Sequence, residues 1–114
     1  MINIAKIEKN AEQAVTLLKA LSNEKRLAII CALYKGERSV GELEEIVGLS
    51  QSALSQHLAR LRRDKLVSTR REAQTIYYSL NDSGTQSILE CLHDIYVLPN
   101  SSQNDFSAPK KIAK

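Results

Sequence analysis

Apolar residues recur every three or four positions over residues 8–21, at Ala11, Ala14, Val15, Leu18 and Leu21, which is the spacing of one helix face. Ser22-Asn23 supplies the side chain that opens a second helix. That helix is predicted to run to about Tyr34, with Leu27, Ile30, Cys31 and Tyr34 inward and Gly36 as its stop. Ser39 and Glu42 stand three apart in capping-box order, so a third, short helix starts at Val40 and carries Leu43, Ile46 and Val47. Gly48 ends it, Leu49-Ser50 is the turn, and Ser50 caps a fourth helix whose buried stripe is Ala53, Leu54, Leu58 and Leu61.

After Leu66 the period drops to two. VSTRR and TIYYSL, joined by Glu72-Ala73-Gln74, read as a hairpin. Ser83 and Gln86 open a last helix with Ile88, Leu89, Leu92, Ile95 and Tyr96 apolar, and Pro99 ends it. The predicted fold is mainly α with a small β-hairpin, in the order α-α-α-α-β-β-α. Residues 1–98 form one domain, and residues 99–114, polar and aperiodic, form a disordered tail.

Charge sharpens this picture. The chain carries a net +3 over 114 residues, but residues 1–49 balance. Between 50 and 80 lie Arg60, Arg62, Arg63, Lys65, Arg70 and Arg71 against only Asp64 and Glu72. The excess therefore sits on the fourth helix and the hairpin, and a localised basic stripe is the footprint of a polyanion partner. No run of residues reaches the roughly 20 apolar positions that span a bilayer, and no secretory core precedes the first helix, so the expected location is cytoplasmic and no membrane partner is expected.

The outer face of the fourth helix carries the candidate chemistry. With the leucines inward, Gln51, Ser52, Ser55, Gln56 and Ala59 face out, with Arg60 and Arg63 at the margin. An ordinary solvated helix face is rich in Glu and Lys; this one is small, uncharged and hydrogen-bonding. Such a face lets a helix backbone enter the major groove, about 12 Å wide, where Gln reads adenine and Ser reads either base. Residues 51–63 are thus a candidate recognition helix for double-stranded DNA. The ribbon at 67–80 is a candidate wing, with Arg70, Arg71 and Gln74 near its tip. Side chains alternate along a strand, so one of the two arginines is expected to reach phosphate or minor groove.

A short helix, a glycine turn, a second helix and a ribbon make a winged helix-turn-helix. The stretch LLKALSNEKRLAIICAL followed by SVGELEEIVGLSQSALSQHLARLRRDKLVSTRREAQTIYYSL resembles the ArsR/SmtB family of bacterial winged-helix regulators over about residues 8–98, within it the HlyU/BigR/SqrR-like subgroup. The resemblance implies a homodimer built through the first and last helices, its recognition helices meeting an inverted repeat. Apolar surface on those two helices, beyond what one small core needs, points the same way.

Family members that bind metal use Cys at the start of the third helix or Asp/His pairs along the last. Here the first region is Ser39-Val40-Gly41-Glu42-Leu43, and the last helix offers only His93 and Asp94. No metal and no cofactor are expected. His57 is read as a packing or phosphate-adjacent residue. The subgroup also implies sensing of reactive sulfur by two cysteines. Cys31 matches the first, while the second position holds Val97. Cys91 lies six residues earlier, about 9 Å along the axis, which argues against an intramolecular bridge to Cys31. Cys31, among Ile29, Ile30 and Leu33, is expected to be a small buried hydrophobe with a raised thiol pKa. The expected function is a DNA-binding transcriptional regulator and not an enzyme. The alternatives are an architectural DNA binder that displaces other proteins, or a thiol sensor using Cys31 or Cys91.

Overall fold

The computed structural model describes residues 1–81 and 83–97; the predicted tail lies outside the described residues. The elements are α1 (Ile4–Lys9), α2 (Ala11–Leu21), α3 (Glu24–Tyr34), β1 (Arg38–Ser39), α4 (Val40–Val47), α5 (Gln51–Arg63), β2 (Val67–Glu72), β3 (Thr75–Leu80) and α6 (Ser83–Tyr96). Met1–Ser83 forms one compact unit, and α6 belongs to a second.

Local chemistry sets most of the helix starts. The Asn23 side chain accepts from the Lys25 and Arg26 amides at 2.9 and 3.0 Å. At α4 the capping box is complete: Ser39 Oγ accepts from the Glu42 amide at 3.1 Å, and the Glu42 carboxylate accepts from the Ser39 amide at 2.8 Å. Ser50 Oγ accepts from the Ala53 amide at 3.2 Å and opens α5. Gly48 closes α4 in the left-handed region at φ 74°, a conformation open to glycine without steric cost, and so turns the chain from α4 into α5.

Several expectations are corrected. The helix expected over 8–21 begins earlier and is two helices, because Asn10 (φ −108°, ψ 28°) leaves helical geometry and donates its side-chain N–H to the Lys6 carbonyl at 2.9 Å. The hairpin loop is Ala73-Gln74 alone, since Glu72 pairs with Thr75 inside the ladder. A third strand, β1, escaped the sequence reading: Arg38 and Ser39 pair with Tyr78 and Tyr77, giving a three-stranded antiparallel sheet in the order β1-β3-β2. Two residues cannot display a period of two.

The core of the first unit is aliphatic apart from one tyrosine. Ile29, Ile30 and Leu33 of α3 meet Leu43 and Val47 of α4, Leu54, Leu58 and Leu61 of α5, and Leu66, Val67 and Tyr78 of the wing. Each fully buried leucine stabilises by about 1.5–3 kcal/mol. The expected inner face of α3 was wrong by about one helical step. Cys31 and Tyr34 are exposed, and Ile29 and Leu33 take the core positions. A helix apolar on nearly every side does not declare which face is buried. On α2 the corresponding shift exposes Val15 and Leu18 while Ala20 and Leu21 are buried, and Ile46 of α4 is also exposed.

The end of α5 is a Schellman motif. The Lys65 amide donates to the Arg62 carbonyl and the Leu66 amide to the Leu61 carbonyl, both at 3.0 Å. Lys65 sits at φ 65°, where a Cβ meets the carbonyl and glycine does not. Lys65→Gly therefore raises stability by about 0.5–1 kcal/mol, the relief of strain exceeding the added chain entropy. A thermal melt showing an unchanged or lower midpoint would refute this account of the helix end.

Candidate nucleic-acid interface

The burial of Leu54, Leu58 and Leu61 fixes the rotation of α5 and hence what it presents. Gln51, Ser52, Ser55, Gln56 and Ala59 are all exposed, as the helical spacing predicts. Arg63 lies within this exposed arc, and Arg60 is half-buried at its edge beside Ala53 and His57. Arg62 is exposed in line with Ser55, seven positions on. The sequence reading passed over it, although the same wheel would have placed it there.

Arg60 and Arg63 converge on one carboxylate. Their Nε atoms lie 3.3 and 3.2 Å from the two oxygens of Asp64, whose side chain is only 10% exposed. Burial pushes the Asp64 carboxyl up, but the hydrogen bonds and charges of Arg63 and Arg60 outweigh it and hold the group below its ordinary range. The pair fixes two long side chains at the end of the helix. Arg26 ties α3 to α2: its guanidinium donates to the Ala20 and Lys19 carbonyls at 2.6 and 3.2 Å. Its charge, with that of Lys25, reaches His57 on α5. Partial burial first, and then these two cations, lower the His57 pKa.

In the wing the two arginines part company. The register places Arg70 opposite Tyr77 and Arg71 opposite Ile76. Arg71 thus shares the sheet face of Val67 and Tyr78, which are buried, while Arg70 lies on the other face with Ser68 and Glu72. Arg70 is paired within the protein. Its Nε and one terminal nitrogen donate to the two oxygens of Glu37 at 2.8 and 2.9 Å, and the other donates to Glu72 at 3.0 Å. Its guanidinium carbon stands 4.5 Å over the Tyr77 ring. The Glu37 carboxyl is held below its ordinary range by the Arg70 hydrogen bonds. Glu37 was not singled out from the sequence, and no local signal marks it, because it is 33 residues from its partner. Arg71 and Gln74 are exposed.

Residues 23–69, which include α4, the turn and α5, match the model of the bacterial regulatory proteins of the arsR family. The transcriptional activator HlyU of Vibrio cholerae serotype O1 is 54% identical over 99 residues, covering 87% of this chain and 92% of that protein. The chain belongs to the ArsR family. The structure of Vibrio cholerae HlyU superposes with a TM-score of 0.76 at 56% identity, covering 80% of this chain and 99% of that one. The transcriptional repressor BigR of Xylella fastidiosa gives 0.81 at 38% identity, covering 85% and 99%. A homodimeric winged helix-turn-helix DNA-binding domain from Mycobacterium bovis gives 0.68 at 27% identity, covering 79% and 86%. This ArsR-family chain is therefore a transcriptional regulator with a winged helix-turn-helix fold, and its relatives are regulators, not enzymes.

Within that family frame, no three His, Cys, Asp or Glu side chains of the described residues converge to hold a metal ion. His93 Nδ1 lies 3.6 Å from Asp94 on α6. No helix among the described residues is long and apolar enough to cross a membrane. The expectation of a buried Cys31 is overturned: both thiols are exposed. The reason is the rotation of α3, which turns Ile30 and Leu33 inward and leaves Cys31 on the outer side. The atoms crowded around its sulfur still raise the thiol pKa, against a smaller opposite pull from Lys35.

Acid is expected to destabilise the fold in two stages. The folded His57 pKa lies below its ordinary value of 6.5, so the unfolded chain takes up that proton first, and stability falls as pH drops below about 6.5. The folded carboxyl pKa values of Glu37 and Asp64 are also lowered. Their contribution is present above the unfolded carboxylate values and is lost as pH falls through the folded ones. Urea midpoints measured across pH would show both declines, with His57→Gln removing the first. A first decline that persists in His57→Gln assigns it to another group.

Proposed function

We propose that this regulator binds an inverted-repeat operator as a homodimer in the cytoplasm. Gln51, Ser52, Ser55 and Gln56 meet base edges in the major groove, and Arg60 and Arg63 grip phosphate at the edge of the helix. The wing that carries Arg70, Arg71 and Gln74 lies on the backbone or in the minor groove. The observation that carries this reading is the uncharged, hydrogen-bonding outer face of α5, exposed along its first two turns while its other face is buried leucine. Ser at two of these positions is a weaker helix former than the usual surface residues, and none of the four side chains contributes to the core. Groove readout gives them a purpose.

The dimer is assigned to the first helices and the last. Ile4, Ile7, Val15 and Leu18 are exposed on α1 and α2, and Tyr96 and Val97 are exposed at the end of α6. Apolar surface of this extent marks a contact with another protein, and the Mycobacterium bovis relative is a homodimer. Two-fold symmetry then spaces the half-sites roughly 34–36 Å apart.

Gln56→Glu places a carboxylate in the groove and is expected to abolish binding to genomic operator fragments while sedimentation still reports a dimer. Leu18→Glu should yield a monomer. Retained affinity in the first variant overturns the groove assignment, and a persistent dimer in the second overturns the interface. A preference for operator over random duplex of roughly 10³ or more marks a sequence-specific regulator; a smaller ratio favours an architectural binder.

The exposure of both thiols favours a second reading, a thiol switch on Cys31 or Cys91. Treatment with polysulfide should then add sulfur mass to the intact chain and change its affinity for DNA. An unchanged mass would remove this reading.

A further inference from the structure

Two adjacent wing arginines have different electrostatic fates. Arg70 donates a two-pronged pair of hydrogen bonds to Glu37, a third bond to Glu72, and covers the Tyr77 ring. A guanidinium has five N–H donors in a fixed fork, and three of them are spent on two carboxylates. Arg71 has neither an ion pair nor a side-chain hydrogen bond among those of the described residues, and it lies on the opposite sheet face. The partner carboxylate is also distinctive. Glu37 belongs to the segment between α3 and β1, and β1 forms the other edge of the wing sheet. The Arg70–Glu37 contact therefore spans the sheet from β2 across Tyr77 of β3 to the chain entering β1.

We propose that Arg70 is a positioning residue of the DNA-binding surface: clamped by Glu37 and stacked on Tyr77, it sets the wing against the helical body, and Arg71 is the arginine that meets phosphate. The proposal rests on the wing touching DNA, as set out above, and refines which of its residues does so. A phosphate approaching Arg70 would have to displace two carboxylates that already neutralise it, in a region where those carboxylates repel the DNA backbone. Arg71 carries no such penalty. The clamp also explains why acidic residues are tolerated in a basic wing: Glu37 and Glu72 serve as the fixed points of a brace.

The test uses the full chain with a random-sequence duplex over a range of salt, together with hydrogen exchange of the wing amides without DNA. Electrostatics alone predicts that Glu37→Gln, which makes the protein more positive, binds more tightly. The clamp predicts the reverse: Glu37→Gln and Arg70→Ala both weaken binding severalfold, both raise exchange of the β2 and β3 amides, and the double variant is no worse than either single one. Arg70→Ala keeps the wild-type slope of log affinity against log salt, whereas Arg71→Ala flattens it by about 0.9, the share of one phosphate contact. Tighter or unchanged binding by Glu37→Gln overturns the proposal, as does a slope flattened by about 0.9 in Arg70→Ala or an unchanged exchange rate in both variants. If Arg71→Ala also keeps the wild-type slope, the wing's contact with DNA fails. The exchange data then still decide on the clamp alone.

Discussion

The burial of three leucines on one side of α5 is the constraint on which the rest depends. Leu54, Leu58 and Leu61 are at most 2% exposed, and together they fix the helix in rotation and in depth. The same residues close the core beneath α3 and α4, so stability and presentation of the outer face have one origin. A helix held this firmly can carry Ser and Gln outward without losing its place, although Ser favours helix less than the Glu and Lys of an ordinary surface. The capped start at Ser50 and the Schellman end at Lys65 and Leu66 then define its length, and the wing begins at once from the buried Leu66 and Val67.

What could be read from the sequence was what is encoded over a few neighbouring residues. Asn23, the Ser39–Glu42 box, Gly48 and Ser50 each act on the backbone within four positions, and each appears in its expected role. The buried stripe of α5 was equally legible, because its two faces differ sharply in polarity. α3 was not legible, since EKRLAIICALY offers an apolar stripe on two sides and only tertiary packing chooses between them. The consequence was a misplaced Cys31. The strand at Arg38–Ser39 exists only through pairing with Tyr77 and Tyr78, about 40 residues on. The Glu37–Arg70 contact is of the same kind. Such pairings are properties of the folded sheet and leave no periodic trace.

Family membership adds what physics on one chain does not. Relatives sharing this architecture include one named an activator and one named a repressor, so one fold serves both signs of regulation. Cys31 sits on the outer side of α3, and Val97 follows the last residue of α6; neither position belongs to the core that orients α5.

The two-residue turn at Ala73-Gln74 has a consequence for how this wing can change over generations. Its strands are paired residue for residue from Val67–Leu80 to Glu72–Thr75, and the side of each side chain is set by counting from that ladder. Deleting or inserting a single residue in β2 would flip the side chains on one side of the change to the opposite face, so that the buried positions and the pairing of Arg70 with Glu37 could not both survive. Only paired changes in both strands leave the faces intact, lengthening the ribbon by roughly 6–7 Å for two residues added to each. The wing can therefore lengthen or shorten in steps, but its two arginines cannot trade places without dismantling the sheet that separates them.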